Sequence, residues 1–113
     1  MNLFNLLKGE ITQQDLLNYY NATITYENLP QSINGAIWLY ETIYNIFIDV
    51  KLSYYKKKKT ILHELAHIEL NHLEQADNDL FALKVDKYED EADIYIKNIL
   101  QKIKKDQEKT LLR

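Results

Sequence analysis

The stretch Thr60-Ile61-Leu62-His63-Glu64-Leu65-Ala66-His67-Ile68-Glu69-Leu70 decides how the rest of the chain is read. Positions i and i+4 of an α-helix lie about 40° apart in azimuth and about 6 Å apart along the axis, so His63 and His67 can reach one metal ion from a single face. Glu64 sits beside them. A carboxylate there need not ligate; it can accept a proton from an attacking water and pass it to a leaving group, which is hydrolytic chemistry. Ile61, Leu62, Leu65, Ala66, Ile68 and Leu70 make the segment apolar enough for a buried helix. Two histidines merely packed in a core would present the same five residues, so the rest of a metal site has to be sought elsewhere.

A catalytic zinc site usually has three protein ligands and one open position. His72 is rejected as the third. It lies nine residues after His63 on the same predicted helix, and nine steps of about 100° place it on the face opposite His63. The extended three-histidine motif would also need Gly at position 70 and His at position 73, where this chain has Leu70 and Leu73. His72 is therefore expected at the surface. Glu89-Asp90-Glu91-Ala92-Asp93 opens a later helix, with Glu89 and Asp93 four apart on one face. Glu89 can complete the site, and Asp93, one turn further on, can accept the free N–H of a ligating histidine. Ala92 lets the two helices approach closely. Glu91 points about 200° away from Glu89 and is expected in solvent. An acidic helix start favoured by the helix dipole is the competing reading.

A chain of 113 residues forms one domain with one core, here spanning 1–113 with the core at about 32–103 and a charged tail at 104–113 expected to fray. The 46% hydrophobic content and nine tyrosines argue for a folded globule, and a net charge of −3 gives no general reason to expect nucleic acid binding. With no cysteine, disulfides and thiolate metal sites are excluded, which fits a cytoplasmic protein. The opening apolar run is too short for a signal sequence and no span approaches membrane length.

Along the chain, residues 2–7 suit a short amphipathic turn, and Thr12 is a good N-cap for a helix over Gln13–Tyr20. Ala22, Ile24 and Tyr26 alternate with Thr23 and Thr25 as in a strand, which Pro30 ends. Residues 32–50 read as two or three antiparallel strands, with Asn34-Gly35 as a turn pair and a second reversal near 40–45. The last strand, about 44–50, either borders a cleft and pairs with extended substrate or is an ordinary core strand. Ser53 caps the helix that carries the histidines, expected over 54–71. Lys56 to Lys59, in its first turns, oppose the dipole and read either as a solvated helix end or as a docking point for an acidic partner. Residues 74–79 are acidic and polar enough for a loop or a frayed helix, and an apolar segment at 80–85 follows. From Tyr88 onward Ala92, Tyr95, Ile96, Ile99, Leu100 and Ile103 repeat at threes and fours as a core-facing stripe. Tyr54, Tyr55 and Tyr88 are possible oxyanion donors, although core or surface roles suit each better.

Phe47-Ile48-Asp49, then the histidine helix, then Glu89-Asp90-Glu91-Ala92-Asp93 together resemble the ImmA/IrrE-type zinc metallopeptidases, within the gluzincin group, over roughly residues 32–99. The resemblance implies an α+β fold in which a small antiparallel sheet packs against an active-site helix and a second ligand-bearing helix. It also implies one Zn2+ held by His63, His67 and Glu89, Glu64 as general base and Asp93 supporting a ligand. The expected activity is endopeptidase cleavage of a cytoplasmic protein, commonly a helix-turn-helix repressor of a mobile element or stress response. Direct contact with nucleic acid or membrane is not expected. A catalytically silent zinc-binding domain that regulates its partner by docking is the alternative, and a metal-free interaction domain a third.

Overall fold

The computed structural model describes residues 1–75 and 86–111. Most of the expected acidic loop, the apolar segment at 80–85, and Leu112 lie outside the described residues. The elements follow in the order α1 (Leu3–Leu7), α2 (Gln13–Tyr20), β1 (Ala22–Glu27), β2 (Gly35–Tyr40), β3 (Ile43–Asp49), α3 (Tyr54–Glu69), α4 (His72–Gln75) and α5 (Asp86–Leu111). Side-chain caps set the helix starts. Asn2 with Asn5 and Thr12 with Asp15 form reciprocal capping boxes on α1 and α2, and the Ser53 hydroxyl accepts from the Lys56 N–H at 3.3 Å to start α3.

The sheet is three-stranded and mixed, in the order β1-β3-β2. β2 and β3 are an antiparallel hairpin joined through Glu41 and Thr42, with Glu41 in the left-handed region at φ 57°. β1 pairs with the other edge of β3 in parallel, where an antiparallel sheet is expected from the sequence. The reason is topological. Residues 28–34 reverse the chain across the end of the sheet and the hairpin reverses it again, so β1 and β3 point the same way. β3 takes the centre, with Ile46 and Ile48 fully buried.

Two expectations change here. β3 has strands on both edges, so it is a core strand and cannot pair with a substrate; β2 is the edge strand that approaches α3. Asn34-Gly35 is not a turn. The Asn34 carbonyl accepts from the Asp49 N–H at 2.9 Å, and Gly35 opens β2. A Cβ added to Gly35 would stand 2.5 Å from Thr60 Cγ2 and 3.2 Å from Glu64 Oε1, so the glycine is where strand and helix pass closest to the site.

One face of the sheet, carrying Ala22, Ile37, Ile46 and Ile48, joins Ile61, Leu65 and Ile68 of α3 in the core. α5 closes the other side of α3, with Ala92 fully buried as close packing requires, and stays helical to Leu111 where fraying is expected. Glu69 at the end of α3 ties the helices together: its carboxylate accepts from the Leu3 N–H, from Tyr20 Oη at 2.8 Å and from Tyr95 Oη at 2.6 Å. Burial, reinforced by that shared carboxylate, pushes both phenols well above their usual range. Three donors offset a negative charge at a helix C-terminus, which the dipole alone would disfavour. No helix among the described residues is long and apolar enough to cross a membrane.

Candidate metal centre

α3 presents His63 and His67 one turn apart, and α5 crosses beside them with Glu89 on its first turns. The Glu89 carboxylate turns one oxygen to each imidazole, 3.1 Å from His63 Nε2 and 3.0 Å from His67 Nε2, while the two Nε2 atoms are 3.2 Å apart. Ligand atoms bonded at about 2.0–2.1 Å to a tetrahedral ion stand about 3.3–3.4 Å from one another. The three donors therefore fit a single divalent ion after shifts of a few tenths of an ångström. Among the described residues, His63, His67 and Glu89 are the group whose donors converge closely enough to hold one.

Proton placement favours the same use. His63 Nδ1 lies 3.0 Å from Asp93 Oδ1, so the N–H on that side donates to a carboxylate and Nε2 is left with its lone pair. Asp93 is 70% exposed, which screens the pair and limits its strength. Burial disfavours charge on His63, but the hydrogen bond to Glu89 and the Glu64, Glu89 and Asp93 carboxylates outweigh it and raise its pKa above the ordinary 6.5. Protons and a metal ion thus compete for the same electron pair.

The partner of His67 corrects two expectations. His72 is fully buried, not at the surface, and Glu91 is bonded to it instead of standing free in solvent. α3 stops at Glu69, two residues sooner than expected, and Asn71 adopts φ 57°, turning the chain back so that α4 begins beneath α3. His72 Nδ1 then meets His67 Nδ1 at 2.8 Å, and His72 Nε2 meets Glu91 Oε2 at 2.7 Å. One proton arrangement satisfies the whole chain: His72 Nε2–H donates to Glu91, and His67 Nδ1–H donates to the bare His72 Nδ1. His67 Nε2 is left as a lone pair facing Glu89. A protonated His72 would reverse the second bond and block His67. Burial holds the His72 pKa below its usual value against the pull of Glu91, with His67 adding to the depression. Tyr88 stacks on the His72 ring with centroids 4.8 Å apart, which accounts for that tyrosine without an oxyanion role.

Glu64 is 1% exposed and lies at the inner end of a cleft of about 790 Å3, with His63, Glu89, Asp93 and the residues 32–35 around it. A buried carboxylate beside a metal-type donor set and lining a cleft can take up and pass on a proton. Tyr54 and Tyr55 are both 73% exposed and do not line the cleft.

A paired-histidine helix, a glutamate from a second helix and an interior carboxylate over a cleft define the class, a metallopeptidase. The family model of Peptidase_M78, the IrrE N-terminal-like domain, matches residues 17–100, and the chain belongs to that family. The match begins within α2, so part of the N-terminal third belongs to the family domain with the site-bearing helices. No curated protein and no solved structure gives a match.

Proposed function

We propose that the chain is a zinc-dependent endopeptidase in which His63, His67 and Glu89 hold the ion and Glu64 is the general base. The observation that carries this reading is the convergence of two Nε2 atoms and one carboxylate at 3.0–3.2 Å beside a buried glutamate. Two imidazoles and a carboxylate suit zinc. A divalent ion bound there supplies Lewis-acid polarisation of the scissile carbonyl and makes water more acidic. Glu64 takes the proton of the attacking water as its oxygen bonds to the carbonyl carbon, then gives that proton to the departing amine as the C–N bond breaks. Asp93, His72 and Glu91 hold the imidazole tautomers. Residues 32–35, which lead into the edge strand β2, supply the wall along which substrate backbone lies.

The natural substrate is, in this reading, a cytoplasmic helix-turn-helix repressor of a mobile element or stress response, a choice supported by the family resemblance. Incubating the zinc-loaded chain with such a repressor from the same organism, with and without chelator, tests it. Cleavage that chelator abolishes and Glu64→Gln reduces by about 10²–10⁴-fold is expected. Intact repressor in both tubes, together with stable complex formation, would replace cleavage with regulation by docking.

A further inference from the structure

We propose that the cleft leading away from the metal centre selects an acidic stretch of polypeptide anchored by an apolar side chain, so that the substrate carries Asp or Glu on one side of the cut bond. This rests on the peptidase reading above and adds a substrate class to it.

The lysine run of α3 divides by helical period. Lys57 Nζ lies over the Tyr26 ring at 5.6 Å and Lys58 Nζ over Tyr54 at 4.8 Å, whereas Lys56 and Lys59 line the cleft. α5 faces them with Lys97 and Lys104, two turns apart on one side of the helix. None of these four lysines forms an ion pair among the described residues. Among the described residues, the carboxylates that line the cleft, Glu64, Glu89 and Asp93, all stand at the metal end. The remainder of the groove is therefore a positive strip on a chain whose net charge is −3. From Glu89 to Lys104 the helix advances about 22 Å, the reach of roughly six or seven residues of extended chain.

The floor supplies the second half of the specificity. Ile33, Leu62 and Ile96 are partly buried beneath the lysines, and Leu100 remains 50% exposed although it belongs to the apolar stripe of α5. Left open between Lys97 and Lys104, Leu100 offers contact to an apolar side chain while the flanking ammonium groups reach carboxylates on either side. A single-stranded nucleic acid would also meet the charge, but among the described residues no Phe, Tyr, Trp or Arg lines the groove for bases to stack on.

The test uses the full chain loaded with zinc and carrying Glu64→Gln to hold peptide uncut. Its probes are two fluorescein-labelled peptides of about twelve residues with the same apolar positions, one with Asp and Glu elsewhere and one with Asn and Gln, and an oligonucleotide of similar length. Fluorescence anisotropy is expected to give about tenfold tighter binding of the acidic peptide at low salt. That preference should collapse with added salt and in both Lys97→Glu/Lys104→Glu and Lys97→Ala/Lys104→Ala. Equal affinities, a preference that survives both double variants, or tighter binding of the oligonucleotide would overturn the proposal. Cleavage by the chain without Glu64→Gln is scored separately. Acid-selective binding with no cleavage of either peptide leaves the groove assignment standing and counts against the peptidase reading; equal cleavage of both does the reverse.

Discussion

Gly35→Ala puts a methyl group where the strand and the metal-bearing helix leave no room for one. The new Cβ would stand 2.5 Å from Thr60 Cγ2, 3.2 Å from Glu64 Oε1 and 3.3 Å from the Phe47 carbonyl oxygen, against about 3.5–4.0 Å for a relaxed carbon contact. Thr60 cannot simply rotate away, because its hydroxyl donates to the Lys56 carbonyl at 2.8 Å and losing that bond costs about 0.5–1.5 kcal/mol. Overpacking of this kind costs about 1–3 kcal/mol, which in a domain of this size lowers Tm by roughly 3–6 °C per kcal/mol. Thr60→Ser removes the clashing methyl while keeping the hydroxyl, and alone should cost less than about 1 kcal/mol. In urea unfolding followed by circular dichroism, the double variant should recover more than about 1 kcal/mol relative to the sum of the single changes. Additive effects would refute the claim that close approach to Thr60 is what requires glycine at 35. The contact with Glu64 survives in the double variant, so its peptidase activity should stay low after its stability has returned.

His72→Ala should weaken zinc binding about 10–100-fold in a competitive chelator titration, because His67 Nδ1 loses the partner that fixes its tautomer; unchanged affinity would show that the relay to Glu91 is ornamental. Glu69→Gln should cost about 1–3 kcal/mol in urea, since one amide oxygen replaces a carboxylate that accepts from Leu3, Tyr20 and Tyr95, and a change below about 0.5 kcal/mol would contradict the tie. Metal-free protein should show opposed pH effects. His63, with its pKa raised on folding, adds stability that is complete below 6.5 and lost as pH climbs through the folded value. His72, with its pKa lowered, takes stability away as pH falls from 6.5 through its own folded value. Urea midpoints measured in chelator are thus expected to peak near neutrality on the acid side, and His63→Asn should remove the alkaline slope; a flat profile would argue against both assignments.

The residues that local periodicity governs were legible in the sequence. Thr12 and Ser53 cap where their side chains predict, and the 3.6-residue repeat alone places Glu89 and Asp93 on one face of α5. What could not be read depends on where the chain turns and on distant partners. Asn71 ends α3 through a left-handed residue without the usual Gly or Pro, so an argument that extends the helix to position 72 points His72 outward. Helical azimuth alone directs Glu91 to solvent, and it is the turn into α4 that brings His72 to it. Glu69 carries no local sign of its role, since its donors lie 66, 49 and 26 positions away. Strand order is of the same kind: alternation marks β1, β2 and β3, but nothing within any one of them states that β3 takes the middle.

The proposed chemistry depends on His63, His67 and Glu89 together holding one divalent ion. Metal analysis by inductively coupled plasma mass spectrometry, on protein purified without added zinc and then dialysed, addresses it directly, with Glu89→Ala treated in parallel. About one equivalent of zinc per chain is expected in the unaltered protein, and a small fraction of that in Glu89→Ala, whose folding is checked by circular dichroism. An empty site in the unaltered chain, or a full equivalent retained without the Glu89 carboxylate, would show that these three side chains do not hold the ion.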